Sequence, residues 1–241
     1  MMVRSWSPYC GPAPLPDEVL GRWNTDPILL GVLLALFCVG MWRVKQTDRG
    51  VFGGAMLVLA IGFISPLCAL SSALFTARTL HHLLLVLAAA PLLALCLPML
   101  KKPRRLMAAT AVQALVFWSW HAPSLYAQAL SHDGVYWLMQ ISILASSVWF
   151  WAAVRSVSAH AAIVALLAAM LLMGLLGALI VFAGQPLYAP HFASGAAWGF
   201  GPLEDQQAAG LIMWAPAAAA YLLVALLKMR ALLQPARRTQ A

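Results

Sequence analysis

The stretch Arg78-Thr79-Leu80-His81-His82 leads straight into an uncharged run, Leu83 to Leu97. Read as one helix, the segment has the length that crosses a hydrocarbon core, about 20 residues at roughly 1.5 Å each. In that helix Arg78, His81 and His82 stand at i, i+3 and i+4 and share a face. Ionisable groups at such a depth are costly in lipid. A guanidinium and two imidazoles at the mouth of a span therefore mark a polar site inside a helical bundle.

Working outward, the apolar segments fall at residues 27–44, 51–70, 75–97, 106–127, 134–154, 160–183 and 207–228. Of the 241 residues, 63% are hydrophobic and only 9% charged. A soluble domain carries about 25% charge. The expected fold is all-α: a polytopic membrane bundle of seven transmembrane helices over 27–228. It is preceded by an outer N-terminal arm (1–26) and followed by a basic tail (229–241). Pro8, Pro12, Pro14 and Pro16 break any helix in the arm, where Trp6, Tyr9 and Trp23 are candidate headgroup anchors. The arm has no apolar core region of a cleavable signal peptide. Thr25-Asp26-Pro27 is a helix start, with Asp26 as cap and Pro27 in the first turn.

The net charge of +8 points to topology rather than to nucleic acid. Twelve of the fifteen basic residues sit in alternate linkers and the tail: Arg43, Lys45, Arg49, Lys101, Lys102, Arg104, Arg105, Arg155, Lys228, Arg230, Arg237 and Arg238. The other side holds Arg4, Arg22 and Arg78 together with six of the seven acids. The positive-inside rule then puts the N-terminus outside and the C-terminus in the cytoplasm. Cys10, Cys38, Cys68 and Cys96 are scattered and form no CxxC pair, so the spacing signals neither a disulfide framework nor a thiolate metal site.

With that topology five of the six histidines lie on the outer side. Only His160 is cytoplasmic, read as an interfacial residue at a helix start. The third and fourth spans are antiparallel neighbours across a short linker. Their outer ends bring His82 toward His121 in Trp118-Ser119-Trp120-His121-Ala122-Pro123, where neutral imidazoles are able to ligate copper or zinc, or haem axially. The plainer readings are a hydrogen-bonded polar cap for His81 and His82, a tryptophan-flanked anchor for His121, and solvated loops for His132 and His191. Arg78 either snorkels to phosphates or pairs with Asp205, tying two spans together. In the last span Asp205 suits the helix N-terminus, and Gln206, Gly210, Met213 and Trp214 share a face. Gly174 and Gly177 fit a close helix contact but name no partner.

Several of these residues carry a family resemblance. Ser65-Pro66-Leu67, His82-Leu83-Leu84-Leu85 through Ala90-Pro91-Leu92-Leu93, Trp120-His121-Ala122-Pro123-Ser124-Leu125-Tyr126, and Asp205-Gln206-Gln207 through Gly210 to Met213-Trp214-Ala215-Pro216 resemble the CtaG family of bacterial membrane proteins. These are assembly factors for haem–copper cytochrome c oxidases. The resemblance implies a seven-span inner-membrane protein that is not an enzyme and that helps deliver copper to the oxidase's catalytic subunit, with a periplasmic copper donor as a further partner. The chain departs from the family pattern where Arg78, Tyr136 and Gln140 stand in places usually held by histidines and Met139 in one usually held by an acid, and His81 is an addition.

On this reading His82, His121 and His81 hold copper transiently, with Arg78, Asp205, Gln206 and Trp214 as structural or orienting partners. Cys68 and Met213 are the softer ligands within reach of an outer end. Three other readings stand beside it. One is a metal-free docking scaffold for oxidase maturation, and another a haem-binding electron carrier. The third, a small-solute transporter, is disfavoured by the absence of an internal repeat.

Overall fold

The computed structural model describes residues 6–98 and 105–233. All regular structure among them is helical, with ten α-helices and a long loop between the last two. The charges at Arg4, Lys101, Lys102, Arg104, Arg237 and Arg238, and most of the basic tail, lie outside the described residues.

Helix α1 (Pro27–Arg43) starts as its sequence dictates: the Asp26 carboxylate accepts from Ile28 N at 2.8 Å, and Pro27 occupies the first turn. The expected second span is broken. α2 (Arg49–Phe63) stops at Ile64, Ser65 caps α3 (Pro66–Ala73) through Leu67 N at 3.2 Å, and the two helices meet at 44°. Pro66 carries no N–H and occupies the first turn of α3, so the chain restarts there rather than continuing.

The third span runs from Phe75 to Cys96 as α4 (Phe75–Leu84), a π turn (Leu85–Ala89) and α5 (Ala90–Cys96). Pro91 follows the π turn, and Trp151 Nε1 donates to the Val86 carbonyl within it at 2.8 Å. Next come α6 (Leu106–Trp120), α7 (Pro123–Ala129), α8 (Asp133–Arg155), α9 (Ala159–Val181) and α10 (Pro202–Leu233). His160 is exposed in the first turn of α9, as the sequence suggests. At the other end of the bundle Arg155 Nη1 donates to the carbonyls of Ala94 and Leu97, closing the C-terminal end of the third span.

Phe75–Cys96, α8, α9 and α10 are each long and apolar enough to cross a membrane, and the bent α2–α3 pair makes a fifth candidate. α1, with 17 residues, and α6, with 15, are apolar but shorter. The lipid-facing character is plain on α1, where Ile28, Leu34, Val39 and Trp42 are all exposed.

Two expectations are corrected here. Cys10 and Cys68 form a disulfide, with Cα atoms 5.3 Å apart, so a cross-link exists that spacing alone did not signal, and Cys68 has no thiolate to offer a metal. Tyr9 is not a headgroup anchor. Its ring stacks on Tyr136 at 5.0 Å and meets Trp137 edge-on at 5.1 Å, and its hydroxyl donates to Asp26. The arm is thereby strapped over the N-terminal end of α8.

The Gly174–Gly177 pair finds its partner in α10. A Cβ on Gly177 would stand 2.8 Å from the Gly210 carbonyl oxygen and 3.0 Å from Trp214 N, whereas one on Gly174 would touch only the Trp214 ring at 3.4 Å. Backbone cannot yield as a side-chain tip can. Gly177→Ala should therefore cost about 1–3 kcal/mol while Gly174→Ala stays near neutral, a contrast readable from thermal unfolding of the two variants in one detergent.

Candidate functional site

The site is built around α4, and its geometry begins with the cap of that helix. Leu74 precedes α4 in an extended conformation and has no side chain able to cap it. The missing acceptor comes from the far end of the chain. The Asp205 carboxylate accepts from Phe75 N at 2.7 Å and Thr76 N at 3.0 Å, and its backbone carbonyl accepts from Thr76 Oγ1 at 2.9 Å. Asp205 thus satisfies two of the orphan donors of another helix and places a negative charge at its positive end. This replaces the expected Arg78–Asp205 pair: both carboxylate oxygens are already taken by α4 backbone.

Arg78 is fully buried. Its guanidinium lies over the Tyr136 ring, 5.3 Å from the centroid. The Tyr126 and Tyr136 hydroxyls are its polar neighbours, and it has no ion pair among the described residues. Its charge acts on His81, His82 and His191. It does not snorkel.

The two imidazoles diverge although they are adjacent. His82 faces α6: its ring centroid is 5.6 Å from that of His121, with the planes at 81°, and 6.5 Å from Phe117. His81 faces α2, edge-on to Phe63 at 4.9 Å. A Cβ on Gly62 would come within 3.1 Å of the His81 ring, so the glycine is what admits the imidazole there. His81 and His82 centroids are 6.0 Å apart. The expected meeting of His82 with His121 is therefore found. His81 is not a third member of that pair, and no group of three or more His, Cys, Asp or Glu suited to a metal exists among the described residues.

His121 Nδ1 is 2.7 Å from the Phe117 carbonyl, which fixes Nδ1 as the donor and leaves Nε2 with the lone pair. Nε2 of His121 and both nitrogens of His81 and His82 are buried without a hydrogen-bond partner. His121 is itself buried, so it is no interfacial anchor. Two imidazole nitrogens sharing one ion stand roughly 4 Å apart, at about 2 Å per bond. The ring centres of His82 and His121 stand 5.6 Å apart, a spacing of the same order.

The loop between α9 and α10 completes the site with Tyr188, which the sequence did not single out, and with His191. Tyr188 stacks on Phe75 at 3.7 Å and donates to the His121 carbonyl at 2.9 Å. His191, expected in solvent, is buried, its Nε2 2.7 Å from the Tyr126 hydroxyl. His132 is exposed, as expected. An aromatic residue three positions before a histidine was the available signal, but a loop has no periodicity to say which way either points.

The remaining candidates hold the frame. Gln206 accepts from Leu187 N at 2.6 Å and donates to the carbonyls of Ile180 and Gln185 at 3.2 and 3.3 Å, pinning the loop to the end of α9. Trp214 lies across α9 beside Gly174 and Gly177 and is 40% exposed, away from the imidazoles. Met213 is fully buried in α10.

Two outcomes follow from this geometry. Asp205→Ala leaves buried N–H groups without an acceptor and should lower unfolding stability by roughly 2–4 kcal/mol, with Asp205→Asn recovering part of it in the same denaturation assay. Burial, with a smaller push from Arg78, holds His191 down to about 3 against an ordinary 6.5. Below 6.5 the unfolded chain takes up a proton that the folded chain refuses until about 3, so stability is full above that window and falls as pH drops through it. His191→Gln should flatten the slope of unfolding midpoint against pH over that range.

No curated protein and no solved structure matches the chain. A match does come from one family, described as the cytochrome c oxidase caa3 assembly factor (Caa3_CtaG), over residues 35–234. That range runs from within α1 to the end of α10, including the capped α4 and the His82–His121 pair, and the chain belongs to this family of oxidase assembly factors.

Proposed function

We propose that the protein is a seven-span component of the bacterial inner membrane that handles copper transiently while the catalytic subunit of a haem–copper oxidase is assembled. The membership in an oxidase assembly family supplies the setting. Seven passes result when α2–α3, α4–α5 and α6–α7 each count as one span beside α1, α8, α9 and α10. The alternation of basic linkers supports an outer N-terminus, and so does the Cys10–Cys68 disulfide on the arm, a bond at home in an oxidising compartment.

The observation that carries the copper reading is the His82–His121 pair: two buried imidazoles, ring to ring, with both His82 nitrogens and His121 Nε2 left without a hydrogen-bond partner. Neutral imidazole is a ligand for copper. A site of two ligands holds an ion less tightly than a closed cage and suits handover from a periplasmic donor to the oxidase subunit. In this role the chain is a carrier, not an enzyme.

The metal-free docking scaffold is favoured by one specific observation. Arg78 buries a positive charge on the helix that carries His82, and that charge opposes a cation. The haem reading asks for a macrocycle between the rings, where Phe75 and Phe117 pack against His121 at 6.3 and 4.4 Å.

The test is copper content of the detergent-purified protein after reconstitution with Cu(I) under reducing conditions, with an absorption spectrum taken as purified. The expected result is near-stoichiometric copper that disappears in the His82→Ala, His121→Ala double variant. Equal, substoichiometric copper in both proteins overturns the copper reading in favour of the scaffold, and a Soret band overturns both.

A further inference from the structure

We propose that the groove between α1 and α8 holds one phospholipid of the surrounding bilayer whose headgroup ends in a primary ammonium. α1 packs chiefly on α2, and between it and α8 lies a groove of about 570 Å³. Ligand sites have volumes of roughly 300–1,000 Å³. Val32 and Leu36 line the groove from α1, Phe63 from α2, and Ile141 and Leu144 from α8. From Asp26 to Leu36, and from Asp133 to Leu144, the helices rise about 15–17 Å at roughly 1.5 Å per residue. This is half of a hydrocarbon core about 30 Å thick, the depth of one leaflet. An acyl chain ends at that depth, whereas a partner's transmembrane helix does not. Tyr9 also bars a helix. It crosses the end of the groove, its hydroxyl donating to Asp26 at the cap of α1 and its ring edge-on to Trp137 on α8.

The end of the groove beside Tyr9 selects the headgroup. Two acids, Asp26 and Asp133, line the groove, and among the described residues no basic side chain does. Asp26 is committed to Ile28 N and the Tyr9 hydroxyl. Asp133 is exposed in the first turn of α8 and has no hydrogen bond or ion pair among the described residues. Its carboxylate is left to accept from a ligand, and an ammonium complements the two negative charges. The Tyr9 and Trp137 rings line the same groove, and aromatic faces attract a cation. A primary ammonium donates to carboxylate oxygens, which a quaternary one has no N–H to do. An anionic headgroup would meet like charge. The site uses neither His82 nor His121 and does not depend on copper.

The experiment titrates the delipidated, detergent-purified full chain with dioleoyl phosphatidylethanolamine or with dioleoyl phosphatidylglycerol, which share their acyl chains. Thermal unfolding followed by tryptophan fluorescence gives the midpoint, and native mass spectrometry counts the lipid retained. The expected result is a single phosphatidylethanolamine per chain and a midpoint several degrees higher, saturating with lipid, while phosphatidylglycerol leaves the midpoint near its lipid-free value. Asp133→Asn keeps the groove but removes the free charge, and should move saturation to about tenfold higher phosphatidylethanolamine. Val32→Trp fills the groove from a position already 52% exposed, and should abolish the shift. Equal shifts with the two lipids, or none with either, overturn the proposal, as does a saturation point unmoved in Asp133→Asn or a full shift kept in Val32→Trp. If Val32→Trp does not fold, Asp133→Asn decides alone.

Discussion

A single carboxylate holds in register the end of this bundle that carries the imidazoles. Asp205 stands at the start of the last helix, yet what it caps is α4, the helix that carries Arg78, His81 and His82. Helix starts in water find acceptors in solvent, but a start buried among Phe75, Tyr126 and Tyr188 finds none. The cap fixes how far α4 protrudes and how it is rotated. Those two quantities decide that His82 meets His121 while His81 turns to Phe63 and Gly62. Thr76 Oγ1, bonded to the Asp205 carbonyl, makes the contact two-sided, so α4 and α10 position each other. The site is in this sense a property of the last helix as much as of the third span.

The parts legible in the sequence are those whose cause is local. Asp26-Pro27 starts a helix and Ser65-Pro66 restarts one because proline lacks a donor and a neighbouring oxygen caps, whatever the rest of the chain does. The facing of His82 and His121 was legible because a short linker joins two antiparallel spans. The failures have the opposite origin. A buried carboxylate and a buried guanidinium invite pairing, but Asp205 is taken by backbone donors whose need for a cap shows only once Leu74 is known to be extended. His191 reads as solvated because loops usually are, and its burial comes from Tyr126, 65 positions away in the chain. Cysteine spacing does not encode pairing, so the Cys10–Cys68 link had no signal to read.

The Phe75–Cys96 segment is two helices in function. Above the π turn, α4 is tied to α10 and carries the polar side chains; below it, α5 is tied to α8 through Arg155. The turn itself is held by Trp151 on the Val86 carbonyl, so a carbonyl set free by the wider winding is spent on an interhelical bond rather than left bare in lipid. The half before the π turn is thus set by its cap, and the half after it by a different helix.

The strap at the N-terminus has a consequence of another kind. Cys10 precedes α1 and Cys68 lies in α3, so the bond closes a covalent ring that contains all of α1 and α2. A protease that cuts anywhere between residues 11 and 67, the exposed turn at Gln46–Asp48 included, opens this ring without parting the chain. The nicked protein keeps its full mass until the bond is reduced, and both fragments leave the membrane together or not at all.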